Sequence, residues 1–266
     1  MNLKELIEKR AAAWEGTSHY TRVIYRTDMQ VSEERKCAGK CTVTILYEGE
    51  GNGEIDTAVV KETEQAFREC LEYRLLNPGE GNLYSLTWYG TEAVTKEQEN
   101  GKQIIGSQVT FDIHEYACQE TTNPDPIMAM NQYIKEQNPQ YLVIGMDQMD
   151  EITELSQNQT IIFCQLVSME KAEETNAAAW VDSKIMIYLF DTDSARRLKT
   201  AAAIANQMTL DGEIIMLDQS PMSIKQLQAD YQSDYLKKGQ ILVTVHYGLL
   251  RYREKPHILQ SVSCRY

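Results

Sequence analysis

Two stretches decide how this chain is read: QIIGSQVTFDIHEY at residues 103–116 and QILVTVHYGLL at residues 240–250. Both alternate apolar with polar residues, the period-two signature of a strand with one buried face. Each reaches a histidine and a tyrosine: His114 and Tyr116 in the first, His246 and Tyr247 in the second. Upstream of each lies the same succession of elements. In the first half, Asn2–Ala13 (NLKELIEKRAAA) sets Leu3, Leu6, Ile7 and Arg10 at helical spacing. A strand follows from His19, another from Cys41 (CTVTILYEG), a helix over Ile55–Glu72, and a strand NLYSLTWYGTEAV from Asn82. In the second half, Asp125–Gln137 repeats the helical spacing with Ile127, Met130 and Ile134, and its Asp-Pro opening is a helix start. Strands follow from Thr160 (TIIFCQLVSME) and Ser183 (SKIMIYLFD), then a helix over Ser194–Met208, then EIIMLDQSPMSI from Glu213. Thr192 and Asp193 supply N-cap side chains for that helix.

The pattern predicts an α+β fold of two tandem αββαββ units. Each is a mainly antiparallel four-stranded sheet with two helices packed on one face. The units span residues 1–120 and 125–266, and the turn-rich QETTNPDP at Gln119–Pro126 divides them. The acidic segment Gly145–Asn158 is read as a loop or short helix within the second unit, where Gly16–Ser18 make the equivalent connection in the first. Two connections, Thr95–Lys102 and Pro221–Gly239, are expected to reach beyond the domain bodies. The second is read as an arm carrying Tyr231, Tyr235, Lys237 and Lys238. A basic C-terminal tail follows with Arg251, Arg253, Lys255 and Arg265, a run suited to an acidic neighbour. These eight residues are the expected partner-binding set.

Hydrophobic residues make up 42% of the chain and charged residues 24%, which describes an ordinary globular composition. No apolar run approaches the length of a membrane span, and the charged N-terminal helix does not read as a signal peptide. The net charge of −13 is spread over both halves and argues against coating a phosphate backbone, which needs Lys and Arg to displace counterions. It is compatible with a conduit through which DNA passes. Six cysteines lack a regular framework and are expected reduced.

Reactive chemistry is sparse. The segment GEGNGEID at residues 49–56 lacks the Lys-Ser/Thr of a phosphate loop, and its Glu50 and Glu54 would repel an anion. Cys37 and Cys41 in CAGKC have no second ligand pair nearby, so no metal is expected. Asp191 and Asp193 are too few for a calcium loop. His114 and His246 have no nucleophile in a recognisable elbow and read as sheet residues. No catalytic, cofactor-binding or metal residues are assigned, and the chain is not expected to be an enzyme. A polar pocket setting either imidazole beside a carboxylate and a nucleophile would change that.

From Asp125 to Arg253 the chain resembles the tail terminator (tail-completion) proteins of long-tailed phages and phage tail-like particles. The resemblance rests on a helix closing at Asn138-Pro139, on TIIFCQLVSMEKAEETNAAAWVDSKIMIYLFDTD, on a helix opening SARRLKTAAAIANQM, and on the closing strand GQILVTVHYGLLRYREK. It implies a homo-oligomeric ring, typically a hexamer, capping the head-proximal end of the tail tube. Such a ring stops tube polymerisation, and sheath polymerisation in a contractile tail, and joins the neck or connector. Its place would be the virion tail or tail-like particle, assembled in the host cytoplasm, with DNA only as passing cargo. The chain departs from the family in carrying two units where one is usual. The residues also admit a reading of another class, a cytoplasmic small-molecule-binding or regulatory module of two ferredoxin-like domains.

Overall fold

The computed structural model describes residues 1–12, 22–30, 37–48, 57–79, 82–97, 103–117, 122–155 and 159–251. The first half contains α1 (Leu3–Ala12), β1 (Arg22–Asp28), β2 (Gly39–Glu48), α2 (Thr57–Leu71), β3 (Arg74–Leu76), β4 (Asn82–Glu97) and β5 (Gln103–Ala117). The second contains α3 (Pro126–Gln137), β6 (Leu142–Val143), β7 (Ile152–Glu154), β8 (Ile161–Glu174), β9 (Ala178–Phe190), α4 (Ser194–Asp211), β10 (Glu213–Ile215), β11 (Pro221–Ala229) and β12 (Ile241–Leu250). Among these residues, no helix is long and apolar enough to cross a membrane.

Local chemistry sets the helix ends. The Asp125 side chain accepts from the amides of Ile127 and Met128, with Pro126 occupying the first turn, where its missing N–H costs nothing. Asp193 does the same for α4 through Ala195 and Arg196, and Gly212 ends that helix at φ 66°, a conformation glycine adopts without strain.

Among the described residues the chain is mixed α+β, with four helices and two six-stranded sheets. The expected four strands per sheet are therefore too few. One sheet runs β1-β2-β5-β4-β3-β7 and the other β6-β8-β9-β12-β11-β10. Five strands follow one path in both: β1-β2-β5-β4-β3 matches β8-β9-β12-β11-β10, with α2 and α4 at the same point in the order. A register shift interrupts the β4–β5 pairing between Trp88 and Gly90, and another interrupts β11–β12 between Ile224 and Gln226. The expected third strands of the two units do not correspond. NLYSLTWYGTEAV is β4, whereas EIIMLDQSPMSI breaks at Met216–Ser220 into β10 and the start of β11, because Asp218 and Ser220 close a turn there. Glu213–Ile215 thus corresponds to β3 instead.

Helices cover one face of each sheet. Leu6, Ile7 and Ala11 of α1 and Phe67 and Leu71 of α2 meet Cys41, Val43, Ile45, Val109, Phe111 and Ile113. Ile127, Met130 and Ile134 of α3 and Ala201, Ile204 and Met208 of α4 meet Ile185, Ile187, Leu189, Val243 and Val245. A third core joins the halves: Leu75, Leu83 and Tyr116 of the first sheet pack with Leu155, Ile161, Phe163, Phe190 and Leu236.

The acidic segment after Gly145 runs as a loop through Glu151, but it does not stay within the second unit. Its Ile152–Glu154 forms β7, antiparallel to Arg74–Leu76 at the edge of the first sheet. Arg10 and Arg74 ion-pair with Glu154, and Lys9 with Glu151, fastening the segment to the first half.

Candidate functional site

Residues 230–240 gather the second half of the chain against the first. Short acidic side chains fold this loop: the Gln232 amide donates to Asp230 Oδ1, and the Leu236 amide donates to Asp234 Oδ1. Buried Gln240 fixes its end, accepting from the Leu189 amide at 2.6 Å and donating to the Lys238 carbonyl at 2.8 Å. The loop is anchored across the divide by Tyr116, whose hydroxyl donates to the Leu236 carbonyl at 2.7 Å. The Ser85 hydroxyl lies 2.8 Å from the same phenol oxygen. Burial, outweighing the Ser85 bond, drives the Tyr116 hydroxyl pKa far up.

This placement corrects the expected arm. Pro221–Ala229 is a sheet strand, and the residues after it turn compactly inward because Leu236 buries its side chain and Tyr235 packs partly buried beside it. Tyr235 packs beside the inter-half core with the Arg197 guanidinium 4.6 Å from its ring centre. Tyr231 is exposed. Lys237 and Lys238 pair with Asp234 and Asp230 of the same loop at 3.7 and 3.1 Å, exposed contacts worth little individually. Arg251 pairs with Glu174 at 2.6 Å, so its acidic partner lies within the chain. Arg253, Lys255 and Arg265 lie outside the described residues, as does the glycine-rich stretch at 49–56.

Between the loop and the first half is a cleft of about 490 Å³. Tyr73, Thr87 and Trp88 line it from one side and Arg197, Tyr235 and Lys237 from the other. The Arg68 guanidinium lies 3.8 Å over the Trp88 ring, and Glu72 accepts from the Trp88 amide at 2.8 Å. The buried Tyr235 hydroxyl has no hydrogen-bond partner among the described residues. Next to the cleft, His114 is buried, with Nε2 2.9 Å from the Thr87 hydroxyl. Burial first, and then nearby Lys237, depress its pKa and favour the neutral ring.

His246 stands instead on the sheet face opposite α3 and α4. Its Nδ1 is 2.7 Å from Asp182 Oδ1, and its ring stacks on Trp180 at 5.2 Å and 7°. Lys225 reaches the same carboxylate at 2.8 Å and holds the Asp182 pKa down. Ser223 is the cross-strand neighbour of His246. The carboxylate is thus shared with a lysine on an open surface, unlike the base-orienting carboxylate of an enclosed triad.

The remaining candidates are accounted for structurally. Asp191 is fully buried and takes Arg196, the Thr160 hydroxyl and the Asp193 amide, while Asp193 caps α4. Cys37 and Cys41 are both buried, and burial pushes the Cys41 thiol up to about 12. Among the described residues, no group of three or more His, Cys, Asp or Glu gathers as a metal site.

Sequence reasoning missed the inter-half core, although a signal was present. IIFC at 161–164 and LF at 189–190 are continuous apolar runs, which require both sheet faces to be covered. The aromatic rings of Tyr116, Phe163, Tyr188 and Phe190 fill that second face, with Tyr116 and Phe190 edge-to-face at 4.8 Å. Scans against known protein families and curated proteins find no match to this chain.

Proposed function

We propose that this chain is a structural assembly subunit, built from a duplicated αββαβββ unit, that forms a ring capping the head-proximal end of a phage tail or tail-like tube. The observation that carries the reading is the shared five-strand path of the two sheets, each with helices on one face. A repeated sheet with one face left largely to other contacts suits a subunit that joins its neighbours side by side. Heterologous contacts of that kind close into rings when their rotation permits. Two hairpins extend the sheets, β4–β5 with strands of 16 and 15 residues and β8–β9 with 14 and 13, and they offer surface to adjacent subunits. On this reading the ring stops tube polymerisation, and sheath polymerisation where the tail contracts. It also joins the neck, with DNA passing through as cargo.

Electron microscopy of the purified chain and of assembled particles tests this, with rings and a tail-end location as the expected result. A strictly monomeric protein absent from tail ends refutes it.

The cleft favours a second reading, a small-molecule-binding or regulatory module. Arg197, Lys237 and the unpartnered Tyr235 hydroxyl meet there between the halves. A thermal shift with a metabolite, without ring assembly, would select that reading.

A further inference from the structure

The two sheets are joined inside the chain in a directional way. The segment between α3 and β8 places β6 on the β8 edge of the second sheet and β7 on the β3 edge of the first. Since β8 occupies in its sheet the place that β1 occupies in the other, the chain joins a β3-type edge to a β1-type edge. Apart from β6 and β7, the outermost strands among the described residues are β1 and β10, again one edge of each type.

Register makes the comparison residue by residue. Leu76 lies opposite Tyr84, and the Met216 amide bonds the Ser220 carbonyl at 2.9 Å. Tyr84 and Ser220 both stand four residues before the shift at Trp88 or Ile224, so Leu76 matches Met216 and Leu75 matches Ile215. Leu76 and Met216 both enter helix-side cores. Leu75 is 0% exposed, sealed under β7 and the aromatic core, whereas Ile215 is 55% exposed and Leu217 is 56% exposed. On β1, the outermost strand of the first sheet among the described residues, Ile24 is 38% exposed.

We infer that the β10 edge, with Ile215 and Leu217, is a docking surface for the β1 side of the first sheet of a second copy of this chain. The contact sets against each other the same two edge types that meet within each chain, without the β6–β7 segment that bridges them there. This inference rests on the assembly reading above and specifies which surfaces meet. The interface is heterologous, so each copy uses one edge to give and the other to receive.

The test uses the full chain, Ile215→Asp and Ile24→Asp, with sedimentation velocity for mass and circular dichroism for fold. Burying a charge where an isoleucine sat is expected to weaken association by at least about 10- to 100-fold, the worth of one apolar side chain. Each variant alone should run as a folded monomer. Their mixture should form a 1:1 dimer and stop there, because Ile24→Asp keeps an intact β10 edge and Ile215→Asp an intact β1 edge. Oligomers unchanged by either substitution, or folded monomeric variants that fail to pair on mixing, overturn this interface while leaving ring assembly standing. A monomeric wild-type chain overturns both.

Discussion

Replacing Tyr116 with Phe isolates the polar tie between the halves without altering shape. The phenol donates its proton to the Leu236 carbonyl, so the Ser85 hydroxyl must be the donor in the second contact. Two net hydrogen bonds contribute about 0.5–1.5 kcal/mol each, and losing the phenol oxygen leaves a buried carbonyl and a buried hydroxyl without that partner. The expected destabilisation is about 2–3 kcal/mol, or roughly 30- to 150-fold in the folded-to-unfolded ratio. Urea denaturation followed by far-ultraviolet dichroism measures it, with tyrosine fluorescence as a second probe. Adding Ser85→Ala should cost less than the sum of the single variants, because one orphaned hydroxyl is then removed. Tyr116→Phe within about 0.5 kcal/mol of wild type, at unchanged m-value, would refute the reasoning.

Three further outcomes are expected. His114 has a depressed pKa in the folded state, so the unfolded chain takes up its proton first as pH falls below about 6.5, and stability drops from there towards the folded pKa. The His114 contribution to the slope should approach at most about 1.4 kcal/mol per pH unit and be lost in His114→Gln, as checked by denaturation of both proteins at pH 7.5 to 5. Asp191→Asn weakens the buried contacts to Arg196 and Thr160 and should cost about 2–4 kcal/mol, read as a lower melting temperature. Leu155→Ala removes a fully buried side chain from the inter-half core and should cost about 2–5 kcal/mol, with faster amide exchange in β3 and β7 before the helix-side cores respond.

The amphipathic helices and long strands were legible because their periodicity is local. Leu6 and Ile7, or Val243 and Val245, report a buried face from a few neighbours alone. The Asp125 cap was likewise readable, since a capping side chain acts on amides two and three residues away. What escaped depended on partners distant in sequence. β7 has only three residues, and its acidic flanks read as loop until Arg10 and Arg74 are seen to meet Glu154. The loop at 230–240 was misjudged for the same reason. Its tyrosines and lysines suit an exposed arm as well as a fold-back, and the choice is made by Tyr116, more than a hundred residues away.

The crossing of β7 into the first sheet has a consequence for synthesis. A nascent chain that has emerged only through β5 holds an unfinished sheet, with the β3 edge unpaired and Leu75 uncovered. At about 5–20 residues per second, roughly 4–16 s separate the appearance of β3 from that of β7. Through that interval the first half is a strand template open to its neighbours on the same polysome. A fragment ending near residue 120 would remain permanently in that state. Genetic splitting of this protein should therefore yield insoluble first halves unless the cut falls beyond Leu155.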